Sequence, residues 1–547
     1  MPRSIGRTPL VAHNIDINGK TLRWGWSIVA VIIFGIVLAI RIRLLGIPLE
    51  RDEGEYAYAG QLMLQGIPPY KLAYNMKFPG TYAAYAAIMS IFGQTIFAIH
   101  LGLILVNAVT IALIFFVGRR LIDSTTGIAA AMTYAVLSVS PSVLGLAAHA
   151  TNFVMLPALG GTLLILKVYD FGRNAFGRLF ASGLLFGLAA LMKQSGAFFV
   201  VFATIYLIFR ELNRGQKRTG LLPPILIFTT GVILPFGITC LILWRAGVFG
   251  QFWFWTIDYA RQYGSVVPLD RAPEIFFRST KEVIGVSWAL WILAGLGAVA
   301  GLWDQRMRAK AIFLLGFLLF SVLALCQGFY FRPHYFILIL PAVSLLVGAA
   351  ISKLSDLVTG RILVGFAPLL LLAAMLSVPI LWDKKVFFDV SPIQACGLIY
   401  PENPFLESVR IAEYVREHTE PDDTIAVLGS EPEIYFYAQR HSATGYIYTY
   451  SLMEPQKYAQ QMQQEMMREI ESARPKYLIS VAMSYSWLRR PDSDPSIFTW
   501  ANEYMTQNYV ADGFVNIMPR ETDYFFGNAP PAVQSLKDYI LIYKRKF

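Results

Sequence analysis

Charge is scarce in this sequence. Asp, Glu, Lys and Arg make up 15% of 547 residues, against about 25% in soluble domains. Hydrophobic residues make up 56% and the mean hydropathy is +0.51, which excludes a single soluble core and requires many buried or lipid-facing segments. Cysteine is scarcer still. Cys240 and Cys326 fall in apolar runs and Cys396 stands alone, so neither a disulfide framework nor a CxxC zinc pattern is available. No basic block interleaved with aromatics is present, which argues against nucleic acid as a partner despite a net charge of +10. The excess reads instead as contact with membrane lipids or as the positive-inside bias. No small-residue cleavage site follows the first apolar run, 24–40. Arg41 and Arg43 follow it, so that run is expected to stay as a first membrane helix.

What is present in abundance is apolar sequence of spanning length. Runs recur near 24–45, 96–118, 127–146, 151–168, 179–192, 195–209, 221–243, 284–303, 311–328, 336–352 and 362–382, about eleven in all. The pair on either side of Lys193 reads equally as two short helices or one broken one. No internal repeat relates the runs. One set of loops carries Arg3, Arg7, Lys20, Arg23, Arg119, Arg120, Arg173, Arg214, Lys217 and Arg361 among others. The other set mixes Arg51, Lys77, Arg271 and Arg332 with many acids. The first set is therefore assigned to the cytoplasm, with the N-terminus.

From about Asp383 the composition changes. Residues 383–547 lack a spanning run. Thr424–Leu428, Tyr477–Val481 and Tyr539–Tyr543 read as strands, and Pro455–Arg474 as an amphipathic helix with Met462, Met466 and Ile470 on one face. The expected architecture is a polytopic α-helical membrane domain, 1–382, followed by an extracytoplasmic α/β domain, 383–547. Within the latter, Gly429-Ser430-Glu431-Pro432 follows a strand and enters a short helix. It lacks GxGxxG spacing, so it reads as a helix start more than as a nucleotide loop.

The chemistry is expected in the first outer loop, about 46–95. It reads Glu50-Arg51-Asp52-Glu53-Gly54-Glu55-Tyr56, then Gly66-Ile67-Pro68-Pro69-Tyr70, then Lys77-Phe78-Pro79-Gly80. Carboxylates beside a membrane helix end are costly and are retained mainly where they accept a proton, bind a cation, or do both. A lysine about twenty residues on suits a phosphate. A solvated interfacial loop would use the same residue types.

This loop, DEGEYAYAGQLMLQG followed by PY and KFPG, resembles the bacterial relatives of protein O-mannosyltransferases and lipid A aminoarabinose transferases. These are membrane glycosyltransferases of the GT-C class (glycosyltransferase family 39-like). A second match is Arg332-Pro333-His334-Tyr335-Phe336. The sequence departs from the family at His149-Ala150-Thr151-Asn152, where many members carry an acid, and at Lys-Phe-Pro where Lys-Pro-Pro is usual. The resemblance implies an enzyme, a hexosyl- or pentosyltransferase. It would move a sugar from a polyprenyl-phosphate donor to a protein, lipid or glycan acceptor at the outer face of a bacterial inner or plasma membrane. On that reading Asp52 is the general base of an inverting displacement and Glu53 orients it. Burial is expected to raise the Asp52 pKa. Lys77, Arg332, His334 and Lys193 bind the donor phosphate, and His149 and Asn152 form a second-loop site. The resemblance assigns no definite cofactor; a divalent metal is compatible with these residues but not demanded by them. The long segment 244–285, with Trp253, Trp255, Tyr259, Arg261 and Tyr263, is a candidate lid. The alternative is a multi-span transporter or flippase for a lipid-linked sugar or other solute, which would more often show repeated halves.

Overall fold

The computed structural model describes residues 10–168, 175–213, 218–358, 365–518, 521–527 and 537–546. Arg3, Arg7, Arg173, Arg214, Lys217 and Arg361, on which part of the charge bias rests, lie outside them, as does the start of the apolar run at 362. Helix α1 (Leu10–Arg43) shows how the spans are built. Trp26, Ala30, Ile33, Val37, Ile40 and Leu44 are buried at alternating steps of four and three, while Ile28, Val31, Ile32 and Leu38 are exposed. That is the 3.6-residue period of a helix with one face on protein and one on lipid.

Among the described residues, eight helices are long and apolar enough to cross a membrane. Three further expected spans are shorter: α5 (Ser124–Leu137), α6 (Ala150–Leu166) and Ala367–Trp382. Lys193 divides two helices, α7 (Ala175–Met192) and α8 (Ala197–Asn213), because Gln194–Gly196 winds into a single 3₁₀ turn. Helix Leu340–Leu357 is the central one, buried on most sides. Gly348 sits where a Cβ would lie 2.4 Å from the Thr126 carbonyl oxygen of α5. The chain is an integral membrane protein. The loop after α1 forms two helices, α2 (Arg51–Leu64) and α3 (Gly80–Phe92), before α4 (Ile96–Leu121).

The C-terminal sheet contains the three expected strands: β1 (Thr424–Leu428), β3 (Tyr477–Ala482) and β6 (Tyr539–Arg545). With β2 (His441–Ser442), β4 (Tyr509–Ile517) and β5 (Thr522–Phe526) the order is β2-β1-β3-β6-β4-β5. β1 runs parallel to β2 and β3, and the remaining pairs are antiparallel. Helix Ala459–Ala473 covers the sheet with Met462, Met466 and Ile470 buried.

This unit is clamped onto α2. Arg51 donates to the Ser430 carbonyl, to Asn403 Oδ1 at 3.0 Å and to Glu431 Oε1 at 3.2 Å. A Cβ on Gly54 would lie 2.6 Å from the Glu433 backbone nitrogen, so only glycine permits so close an approach. The Gly-Ser-Glu-Pro loop is therefore an interdomain latch. The following helix starts at Pro432, which offers no side-chain cap.

One consequence is a pH dependence. Burial, then neighbouring Glu431, raises the Glu433 carboxyl from 4.5 to about 8. A carboxyl raised by folding stabilises the fold fully below its unfolded value, and that contribution is lost as pH rises through the folded one. The melting temperature is expected to fall between pH 5 and 9, and Glu433→Gln should flatten that part of the profile. Identical slopes for the two proteins would refute the assignment.

Candidate functional site

The site starts from how α2 begins. Glu50 caps the helix: its Oε1 accepts from the Glu53 N–H at 2.9 Å, and Glu53 Oε2 accepts from the Glu50 N–H at 3.4 Å. Asp52 and Glu53 thus lie in the first turn, where the helix dipole favours negative charge. Asp52 points into a cavity of about 500 Å³ whose wall also includes Lys77, Lys193, Arg332, His334 and Tyr448.

Lys77 arrives through the Lys-Phe-Pro-Gly turn. A Cβ on Gly80 would lie 2.5 Å from the Leu191 carbonyl oxygen. Thr81 Oγ1 donates to the Met192 carbonyl at 2.8 Å, and Gln194 Nε2 to the Met76 carbonyl at 2.6 Å. The turn is therefore docked on the α7–α8 junction, which brings Lys77 and Lys193 to one cavity. Lys77 Nζ donates to Asp52 Oδ1 at 2.8 Å and to Glu55 Oε2 at 2.6 Å. The Tyr82 hydroxyl donates to Glu55 Oε1 at 2.5 Å. The Tyr448 hydroxyl, from the C-terminal unit, donates to Asp52 Oδ1 at 3.1 Å.

The other Asp52 oxygen faces two imidazoles. Oδ2 is 3.7 Å from His334 Nε2 and 3.9 Å from His149 Nδ1. The rings stack at 4.0 Å between centroids and 11° between planes. Thr151 Oγ1 donates to the His334 carbonyl at 2.9 Å, fastening the start of α6 to the Arg-Pro-His segment. Lys193 Nζ lies 3.6 Å from the centre of the Tyr335 ring.

Burial alone would raise the Asp52 carboxyl, but the Lys77 ammonium outweighs it and holds it well below the usual range. Burial would likewise lower Lys77, but Asp52 and Glu55 keep it well above its ordinary value. Burial, then the Asp52 and Glu53 charges, pushes Glu50 well up. Burial brings His149 down to about 4 despite Asp52, and burial holds His334 well below its ordinary value. Near neutral pH the centre thus holds an anionic Asp52, a cationic Lys77 and two neutral imidazoles.

Several expectations need correction. The Asp52 pKa moves down instead of up, because a fixed ammonium 2.8 Å away exceeds the desolvation penalty. Glu53 turns away from Asp52: its Oε1 accepts from the Ala148 N–H at 2.6 Å and lies 3.1 Å from His100 Nε2. It anchors the second loop. Asn152 is buried in the first turn of α6, with its amide directed to the Ala147 carbonyl at 3.4 Å. Lys193 does line the cavity. Of the proposed lid, Trp255, Tyr259, Arg261 and Tyr263 line the cavity, whereas Trp253 is exposed. Glu55 is visible in the sequence as one of four acids, but nothing there assigns it a role. Tyr448 and Glu454, which also lines the cavity, carry no sequence signal at all.

Residues 77–239 match the family described as dolichyl-phosphate-mannose-protein mannosyltransferase. The match begins at Lys77 and so leaves Asp52 outside it. No curated protein matched the chain. Among solved structures, ArnT from Cupriavidus metallidurans, bound to undecaprenyl phosphate, is similar at 15% identity with a TM-score of 0.55, covering 94% of this chain and 97% of that one. The Archaeoglobus fulgidus oligosaccharyltransferase, in complex with zinc and sulfate, is similar at 14% identity and a TM-score of 0.53, covering 91% and 72%. AglB from the same organism, in complex with an inhibitory peptide and a dolichol-phosphate, is similar at 14% identity and a TM-score of 0.51, covering 92% and 74%. The fold is the GT-C membrane fold, as the first-loop resemblance implied.

Proposed function

We propose that this chain is a glycosyltransferase that moves a sugar from a polyprenyl-phosphate donor to an acceptor hydroxyl on the side of the membrane where the C-terminal unit lies. The observation that carries the reading is a half-buried carboxylate, Asp52, sharing one cavity with Arg332 and Lys193. The similar ArnT structure holds undecaprenyl phosphate and the AglB structure a dolichol-phosphate, which supports a lipid phosphate as the leaving group.

On this reading the donor phosphate sits toward Arg332 and Lys193. Neither has a carboxylate partner among the described ion pairs. Arg332 supplies a planar fork for two phosphate oxygens, and Lys193 a point charge. Both stabilise the charge that develops on the phosphate as the glycosidic bond breaks. Asp52 takes the proton of the acceptor hydroxyl, which attacks from the opposite side and inverts the anomeric carbon. Lys77 holds Asp52 and Glu55 in place. An anionic donor drawing Lys77 toward itself would loosen the pair and make Asp52 a stronger base.

Arg332→Ala is expected to weaken donor-lipid binding about 10- to 100-fold, the worth of one charged hydrogen bond. Lys77→Ala should lower transfer more than it lowers donor affinity, because it strands the buried Glu55 carboxylate and the half-buried Asp52. Titration of purified protein with a polyprenyl-phosphate sugar checks both. An unchanged dissociation constant in the Arg332 variant would remove that residue from the donor site. Mass spectrometry of transfer products, with candidate acceptors supplied, tests the activity itself.

A further inference from the structure

The chemistry above leaves one cavity carboxylate without a task. Glu454 belongs to the C-terminal unit, directly after the short helix Tyr450–Met453, and lines the cavity together with Arg332. Its backbone is held on both sides. Its N–H donates to the Tyr450 carbonyl at 3.1 Å, and its own carbonyl accepts from the Gln456 N–H at 2.8 Å. Its Oε2 accepts from the Tyr259 hydroxyl at 2.7 Å. Its Oε1 has no hydrogen-bond or ion-pair partner among the described residues. One oxygen is thus fixed and the other is free to accept. A carboxylate drawn out of bulk water needs donors on both oxygens, since an unmatched acceptor there costs free energy.

The surroundings indicate the donor. Tyr259 ends a π-helical turn, Phe254–Tyr259, a form frequent at functional sites. From Tyr259 a file of rings leads back to the phosphate end. Tyr259 lies 6.5 Å from Tyr263, Tyr263 stacks on Tyr330 at 4.6 Å, and the Arg332 guanidinium lies 5.7 Å from the centre of the Tyr330 ring. Glu454 and Arg332 therefore stand at the two ends of one aromatic wall, with Tyr259 and Tyr263 lining the cavity between them. Such rings offer apolar faces to the C–H side of a sugar, and a carboxylate accepts from its hydroxyls. Arginines and lysines outnumber acids along the cavity, so no surplus negative charge is left to hold an ammonium.

We propose that Glu454 is a specificity-determining residue: its free oxygen accepts a hydrogen bond from a hydroxyl of the transferred sugar while the donor phosphate lies against Arg332, and its charge turns away sugars that carry a carboxylate. The inference rests on the transferase reading and goes beyond it by placing the choice of sugar in the C-terminal unit. Glu454 lies outside residues 77–239, so the family match does not reach it. A site built to bond a substrate hydroxyl rejects a sugar that lacks it, because the acceptor is then left unpaired. A sugar carboxylate in the same place would set two like charges together.

The test needs no acceptor. The full chain, purified in detergent, is titrated with undecaprenyl phosphate alone and with undecaprenyl phosphate carrying glucose, mannose, galactose, arabinose or glucuronic acid. Burial raises the Glu454 carboxyl to about 7, with the Tyr259 hydroxyl and the Arg490 and Arg332 charges opposing the rise, so the titrations are run above about pH 8 to keep it charged. At least one neutral sugar donor is expected to bind better than the glucuronic acid donor. Glu454→Ala should weaken that neutral donor about 10- to 100-fold, the worth of a hydrogen bond to a charged group, and leave the bare lipid phosphate unchanged. Glu454→Gln keeps the shape and an acceptor oxygen. It should retain most of the neutral-donor affinity and improve the glucuronic acid donor at least about tenfold. A purely structural role would shift every ligand together, and that result would overturn the inference. So would neutral-donor affinity that survives Glu454→Ala, or a glucuronic acid donor bound as well as every neutral one by the unaltered chain. These results leave the phosphate contacts of Arg332 and Lys193 standing. An unaltered chain that binds no undecaprenyl phosphate in any form would remove the transferase reading, and this inference with it.

Discussion

Asp52→Asn is expected to lower sugar transfer by roughly 10²–10⁴-fold, the usual contribution of a positioned general base, while donor-lipid binding is largely kept. The substitution preserves shape and can still accept from Tyr448, whose hydroxyl lies 3.1 Å from Oδ1. It removes the negative charge and leaves Lys77 paired with Glu55 alone. The donor contacts assigned to Arg332 and Lys193 are untouched. A transporter or flippase would instead show altered movement of its lipid substrate and no transfer to lose. A variant that transfers sugar at the original rate would remove Asp52 from the chemistry.

Arg51→Ala is expected to loosen the C-terminal unit and to reduce transfer with it. Arg51 and Glu431 are both buried, and removing one member of a buried pair costs about 3–5 kcal/mol because the other is left uncompensated. Ser430 and Asn403 lose their partner in the same step. The guanidinium also lies over the rings of Phe405 and Tyr450, at 5.4 and 5.5 Å, so packing is lost with charge. Tyr448 belongs to the unit that this latch holds, so its contact with Asp52 should weaken. A lower melting temperature and faster proteolysis of the C-terminal unit are the readouts. Arg51→Met combined with Glu431→Met should recover much of the stability, since replacing a whole buried pair by apolar groups of similar size is often neutral. A single variant that melts like the original chain would show that the latch carries no weight.

The first loop is unusually legible in the sequence because so much of its logic is local. Glu50 and Glu53 are three residues apart, the spacing of a capping box. Gly80 marks a place where backbone must touch backbone. The partners of these groups are less legible. The sequence suggests pairing Glu53 with its neighbour Asp52, yet adjacent residues on a helix do not face each other, and Glu53 reaches His100 instead. The direction of the Asp52 pKa shift is hidden for a related reason. Burial can be inferred from a membrane-proximal loop, but its effect is reversed by an ammonium 25 positions away.

Periodicity and hydropathy, which depend only on residues within a few turns of each other, were enough to locate the membrane helices and three strands of the C-terminal sheet. The acidic cluster and its lysine could be found in the same way. Only the tertiary structure decided which of those groups meet. Tyr448 reaches Asp52 across 396 positions, and Arg51 reaches Glu431 across 380. Contacts of that range are set by how a sheet docks on a helix end, and no spacing in the chain encodes them. The stacked histidines belong to the same category. They come from two loops brought together by the packing of α6 against the Arg-Pro-His segment.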